Sequence, residues 1–537
     1  LKRVLSLIAL GAILAGCTKV GTGARHSWTQ PGLLRVAIQS EPKNLDTLLA
    51  SNTTDNMVTR LINDPLISAD PKGNPVPVLA TEVPTLENGG ISKDGFTITY
   101  HLHPGVTFSD GAPLTSKDVK FSWQAMMNPN NNVVSRHGYD EVASIDTPND
   151  TTVVVHLKER FSPFVMTFFS EGDSPVNIVP EHILAKYPNV NQVPFNTQPI
   201  GSGPFEVSEW VHGDHITLVA NPHYFRGKPK LSKIIIHIVP NENTTLNQMR
   251  THEIDWMFEP SYSTFEPLSQ MQDVNVHFNV INGYEGVQLN TTHWPLNDRQ
   301  FRLALVSAVN KQVLLDDLTF GKEKLATEDL PDWMWAYNHD VTINPFNVAK
   351  AKQLLAADGF TPGPNGMLQK GGKPVSLLIV TNSSNVTRRK ASVLLQEMLR
   401  QVGIDSQIRT YDGATLFAPA PLGILQTGRF DLGMSGWFAG VDPDNSSNFM
   451  CKNIPPGGYN YTRYCNQLME AAQRVALQNY DRPTRTLAYA TIEERLAQDI
   501  PQIFFWWDNQ AQAINPDFKG FDPNPVTESW NAYQWST

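Results

Sequence analysis

The stretch from Met434 to Cys465 constrains this chain more than any other. It reads M-S-G-W-F-A-G-V-D-P-D-N-S-S-N-F-M-C and runs on to Y-N-Y-T-R-Y-C. It joins Gly-rich backbone, an aromatic residue, two carboxylates and two of the three cysteines in the chain. A ligand is expected to be touched here. The rest of the sequence decides whether that ligand is processed or only held.

At 537 residues the chain is too long for one ordinary core, which favours two or three structural units. Hydrophobic residues at 41% and charged ones at 18% describe a folded chain and not a disordered one. The balance of 42 basic against 52 acidic residues gives a net charge of -10. Phosphate contacts need clustered Lys and Arg, so no nucleic-acid partner is expected.

Lys2 and Arg3 precede the apolar run Val4 to Ala15, which is too short to span a bilayer and has the length of a signal-peptide core. A buried N-terminal helix is the alternative. The run ends in Leu14-Ala15-Gly16-Cys17, which resembles the lipobox of bacterial lipoproteins. That resemblance implies removal of the leader at 1–17, lipidation of Cys17, and a durable membrane anchor on more than one acyl chain. Residues 18–32, with Gly21, Gly23, Ser27 and Pro31, then read as a tether. Export implies an oxidising compartment. With Cys17 lipidated, Cys451 and Cys465 can pair only with each other, and closing a loop of this size is worth about 3 kcal/mol. Two small buried thiols are the alternative. Nothing has the C-x-x-C spacing of a redox or zinc site.

Along the chain, Leu33 to Ile38 reads as a buried strand, and Thr53 to Ile62 as a helix with Thr53 or Thr54 at its N-cap. Phe96 to Leu102 alternates as a half-buried strand. After it, Asp110-Gly111 makes a turn, and Thr115 with Asp118 forms a capping box ahead of a helix carrying Val119, Trp123 and Met126. The segment Thr107 to Val119 resembles the signature of the family 5 extracellular solute-binding proteins, the oligopeptide-, dipeptide-, glutathione- and nickel-binding components of ABC importers. Further matches follow in the family's order. They are Ile200-Gly201-Ser202-Gly203-Pro204-Phe205, Asn221-Pro222-His223-Tyr224-Phe225-Arg226-Gly227-Lys228-Pro229, Glu253-Ile254-Asp255, Phe301-Arg302-Leu303-Ala304-Leu305, and the two helices stopped at Gly359-Phe360 and Gly403-Ile404.

That resemblance implies an α/β, bilobal periplasmic-binding-protein-like fold (type II, large cluster with an extra domain) and a hinge-closing cleft. The first lobe is expected at 33–80 and 201–285, an inserted domain at 81–200, the second lobe at 286–503, and a return to the first lobe at 504–537. The implied function is capture of short peptides or a peptide-like solute for an ABC permease and its ATPase, outside the cytoplasm, by a lipid-anchored monomer without a cofactor. A ligand-sensing lipoprotein and a lipid-anchored hydrolase are the alternatives.

In the peptide-binding relatives an S-G-W segment supplies the ligand-holding strand edge, so Ser435, Gly436 and Trp437, with Phe438 beside them, are the expected ligand contacts. Those relatives place an aspartate three residues after the tryptophan to receive the ligand ammonium. Here that position is Gly440, and Asp442 is the acid available from a shifted loop. Arg388 and Arg389 resemble the arginine pair of the dipeptide binders, where one arginine meets the ligand carboxylate. The resemblance also supports the Cys451 and Cys465 pairing.

No catalytic constellation is visible. Gly433-Met434-Ser435-Gly436-Trp437 misses the nucleophile-elbow pattern by its last residue, and H-E-x-x-H is absent. His101 with His103, and His212 with His215, read as packed or exposed histidines in preference to a metal site. Asp442-Pro443-Asp444-Asn445 lacks the glycine and distal glutamate of a calcium loop. Glu493-Glu494 reads as a solvated helix face.

Overall fold

The computed structural model describes residues 25–172, 175–418 and 420–537. The leader and Cys17 lie outside the described residues. So does the tether as far as residue 24. The remainder of that stretch is docked and does not behave as a tether: Asp517 accepts hydrogen bonds from the backbone N–H of His26 at 2.8 Å and the Thr29 hydroxyl at 2.8 Å. The Trp28 ring stacks between His26 and His252 at 4.4 and 4.0 Å.

One mixed sheet of eleven strands runs through both lobes. Its order is Asp405–Tyr411, Ser376–Asn382, Leu432–Phe438, Asn275–Leu289, Gln502–Ile514, Trp256–Phe258, Leu33–Ile38, Lys233–Ile238, His215–Ala220 and Phe205–Val211, with Lys324–Leu325 also on Gln502–Ile514. Only the antiparallel pair Asn275–Leu289 and Gln502–Ile514 is long enough to belong to both halves. Asn275 faces Ile514 in one half and Gln288 faces Gln502 in the other. Between them the register breaks: Val280 faces Asn509 and Tyr284 faces Trp507, so residues 281–283 share the single position Asp508. Such a bulge bends a strand and re-aims the side chains around it.

The strand faces are β-branched and leucine-rich where they are buried on both sides. In the first lobe Leu34, Val36, Ile234, Ile236, Leu61 and Trp256 form one core. In the second, Leu289, Phe301, Leu305, Ile379, Leu395 and Leu399 form another. Between residues 97 and 157 a three-stranded sheet, Thr97–His101, Thr152–Leu157 and Val142–Asn149, packs on helix Ser116–Met127 around Tyr100, Val153, Val155 and Phe168.

The capping box is present as expected: Asp118 Oδ2 accepts from the Thr115 N–H at 2.8 Å while Thr115 caps the helix. Helix Thr53–Ile62 has the expected span, but its cap is Asn52, whose Oδ1 accepts from the Asp55 N–H at 2.9 Å. Asparagine is among the strongest N-caps, and Asn52 precedes the threonines. Cys451 and Cys465 form the expected disulfide, with Cα atoms 5.0 Å apart.

Candidate functional site

The segment singled out from sequence is the strand Leu432–Phe438 and the loop after it. On one side this strand pairs along its whole length with the first crossing strand, from Leu289 opposite Leu432 to Gly283 opposite Phe438. On the other side it meets Ser376–Asn382 only at Ile379 with Leu432 and Val380 with Gly433. Beyond Gly433 the two strands part, and among the described residues no strand pairs with the outer edge of Met434 to Phe438. Unpaired main-chain groups of this kind are what an extended ligand adds to.

Polar groups without partners flank the opening. Ser435 Oγ, Trp437 Nε1, Thr381 Oγ1 and Asn382 Oδ1 are all sealed from solvent and make no hydrogen bond. Ser435 is 2% exposed and Thr381 0%. A buried unpaired polar atom costs about 1–3 kcal/mol, so Ser435 and Trp437, which share one face of the strand, call for a polar occupant.

Gly436 is required by its neighbours. A Cβ there would lie 2.6 Å from the Tyr284 carbonyl, 2.7 Å from Glu285 Oε1 and 2.9 Å from Arg388 Nη2. Arg388, in the first turn of helix Val386–Gln401, donates from Nε to Glu285 Oε2 at 2.8 Å and from Nη2 to Oε1 at 2.5 Å. Burial alone would lower the arginine pKa, but the Glu285 carboxylate outweighs it and raises it. The expected anion receptor is therefore already bound by a carboxylate. Arg389 turns away and donates to the Ser383 carbonyl. The Trp437 ring packs 5.3 Å from Tyr459, and Phe438, 47% exposed, lies over Gly283.

The loop after the strand is pinned at both carboxylates. Asp442 accepts from Arg485 Nη1 at 2.9 Å and Nη2 at 2.6 Å. Asp444 is bonded to His137 Nε2 at 2.9 Å. Burial would raise the Asp444 pKa, but the His137 ring and the Ser446 N–H outweigh it and hold it low. Asp442 is thus committed to Arg485 within this geometry. Gly440 abuts a different segment: the Asn282 amide donates to its carbonyl at 2.6 Å, and a Cβ would fall 2.2 Å from the Glu171 carbonyl oxygen.

Two groups of acids escaped the sequence reading. Asp508 and Glu323 stand near Glu285 beside the register break. Glu493, expected on a solvated face, is fully buried. Asn445 Nδ2 donates to Asp329 Oδ2 at 3.0 Å and Glu493 Oε1 at 3.3 Å, and burial together with the neighbouring acids raises the Glu493 pKa well above normal. Helical spacing carried the signal, since Arg485, Tyr489, Glu493 and Leu496 share one face of Arg482–Asp499, whereas Glu494 points outward and accepts from Thr342. His212 contacts Glu41, and His215 contacts Asp214, each at 2.8 Å. Among the described residues no group of three or more His, Cys, Asp or Glu is arranged to hold a metal ion.

The family model for bacterial extracellular solute-binding proteins, family 5 Middle, matches residues 74–455. The chain belongs to that family. It is 26% identical over 544 residues to the oligopeptide-binding protein AppA of Bacillus subtilis strain 168, covering 98% of this chain and 97% of the relative. It is 28% identical over 554 residues to a Brucella melitensis biotype 1 protein provisionally assigned as an ABC transporter peptide-binding protein, covering 100% and 99%. The solved structure of Bacillus subtilis AppA in complex with a nonapeptide superposes with a TM-score of 0.81 at 24% identity, covering 94% of this chain and 99% of that one. Family 5 membership agrees with the expected bilobal α/β fold and makes this a solute-binding protein. Among the described residues no helix is long and apolar enough to cross a membrane.

Proposed function

We propose that the protein captures short peptides or a peptide-like solute in the interlobe cleft and presents it to the permease of an ABC importer. The observation that carries this reading is the unpaired edge from Met434 to Phe438, with the polar atoms of Ser435 and Trp437 on that strand and Asn382 on the neighbouring one lacking partners among the described residues. An extended chain laid along that edge gains main-chain hydrogen bonds and satisfies buried groups at once. Ser435, Gly436, Trp437 and Phe438 form the holding surface, Arg388 shapes it through Glu285, and Arg389 lies at its margin. The peptide-binding names of the two relatives point the same way.

The lobes divide at the crossing strands, with 33–80, 201–285 and 504–537 in one, 286–503 in the other and 81–200 inserted. Binding favours the closed arrangement through contacts made to both lobes. Holding the ligand, without breaking a bond in it, is the role this reading gives the protein. Cys17 anchors the chain as a lipoprotein outside the cytoplasm, and the protein works as a monomer.

Native mass spectrometry of the purified protein, followed by calorimetry with peptides of two to nine residues, tests the reading. Co-purifying peptides and saturable binding are expected, and Ser435→Val with Gly436→Ala should abolish both. Binding that survives intact in Gly436→Ala would place the ligand elsewhere. Radiolabelled palmitate should enter the wild type and not Cys17→Ala.

A further inference from the structure

Acidic side chains outnumber basic ones around Glu285. Glu285 and Asp508 lie beside a single guanidinium, Arg388, with Glu323 next to Asp508, and Glu285 already occupies two of the Arg388 N–H groups. Asp508 is 9% exposed, and its Oδ1 accepts from Trp506 Nε1 at 2.8 Å. Its Oδ2 makes no hydrogen bond, and among the described residues no cationic nitrogen lies within 4.0 Å of Asp508 or Glu323. Glu323 is held by neutral donors, Tyr262 Oη from the first lobe and Asn509 Nδ2, both at 2.8 Å.

Three separate observations place this group on the ligand path. Asp508 is the residue left facing the register break between Val280 and Tyr284, at the point where the lobes join. Gly436 is cut back to bare backbone under Glu285 and Arg388, in the strand with the open edge. Gln510, next along the same face from Asp508, donates to Glu259 at 2.6 Å and leaves its own buried Oε1 without a partner.

We propose that the ligand's positive group, an ammonium or guanidinium, lodges beside Gly436 between Asp508, Glu323 and the Glu285–Arg388 pair. This rests on the cleft being the binding site. Either cation brings several N–H donors to carboxylate oxygens that lack them and offsets charge that Arg388 alone does not. The acids do not converge as metal ligands, which favours an organic cation. The positive group comes from a peptide α-amine or from a basic side chain. Burial raises the pKa values of Asp508 and Glu323, and the Glu285 and Glu323 charges push Asp508 further the same way. Burial lifts Glu323 to about 8, so a bound cation displaces protons held at neutral pH.

Calorimetry on the full chain with Ala-Ala-Ala, N-acetyl-Ala-Ala-Ala, N-acetyl-Ala-Lys-Ala, N-acetyl-Ala-Glu-Ala and agmatine decides it. A cationic peptide should bind about tenfold or more tighter than N-acetyl-Ala-Ala-Ala. Preference for Ala-Ala-Ala identifies the α-amine as the source, and preference for N-acetyl-Ala-Lys-Ala the side chain. Asp508→Asn, with Glu323→Gln as a second variant, should erase the preference, and the wild-type enthalpy should change with buffer ionisation as protons leave. Peptides bound without regard to charge, or best when acidic, overturn the proposal and leave the peptide reading standing. Agmatine bound without any peptide does the opposite, upholding the cation site and overturning the peptide reading. No binding of any probe removes both.

Discussion

Gly440 lies so close to Glu171 that a Cβ at position 440 would sit 2.2 Å from the Glu171 carbonyl oxygen. The Val441 N–H donates to that same carbonyl at 3.3 Å, so the loop behind the candidate edge rests directly on the segment at 171–172. At position 440 this chain has backbone against backbone.

Gly440→Ala should therefore hold the second lobe away from the inserted domain. Small-angle scattering with ligand present is expected to show a larger radius of gyration than wild type, and affinity should fall about tenfold or more, since a few ångströms of misfit break contacts made only on closure. An unchanged radius and affinity would mean that the 171–172 contact plays no part in closing.

Asp442→Ala leaves Arg485 buried and unpaired. Breaking a buried ion pair on one side costs about 3–5 kcal/mol, so the melting temperature should drop by several degrees. Asp442→Asn keeps part of the hydrogen bonding and should cost less. If Asp442 instead held a ligand ammonium, Asn would weaken binding while leaving the melting temperature alone.

Glu259 supplies a pH test. Burial and the Glu528 charge raise its pKa from 4.5 to about 8 in the fold. Between those values the folded chain keeps a proton that the unfolded chain has released, so stability is greatest below the lower value and falls as pH rises towards the upper one. Melting curves from pH 5 to 8.5 should decline, and Glu259→Gln should flatten the decline. An identical slope in the variant assigns it to the other acids that burial raises, Asp46 and Asp64 to about 7 and Glu323 and Glu328 to about 8 among them.

The Cys451–Cys465 bond closes a loop 14 residues apart in sequence. Cys451→Ser with Cys465→Ser should cost about 3 kcal/mol in chemical denaturation, with the midpoint lowered and the slope largely kept. A variant as stable as wild type would show that the cross-link constrains nothing the unfolded chain would otherwise explore.

What could be read from sequence was local. The Thr115 and Asp118 capping box, the disulfide and the strand at Ser435 to Trp437 each lie within a short stretch whose residues interact with near neighbours. Arg388 was visible too, but its partner was not: Glu285 lies 103 residues earlier, and only the pairing of Gly436 with Glu285 brings them together. The same holds for Asp508 and Glu323, which are brought together by the pairing of Lys324 with Trp507, 183 residues away in sequence. Glu493 was misread because a neighbouring pair of glutamates looks solvated until the helical phase of Tyr489 and Leu496 is followed.

The two crossing strands also decide how the molecule can move. Two hydrogen-bonded plies behave as a leaf spring: stiff against stretching and in-plane sliding, compliant in flexure where the 281–283 bulge thins the ladder. Asp508 sits at the flexing point of that spring, so whatever binds there is placed at the pivot, where a small force has the most direct hold on the whole excursion.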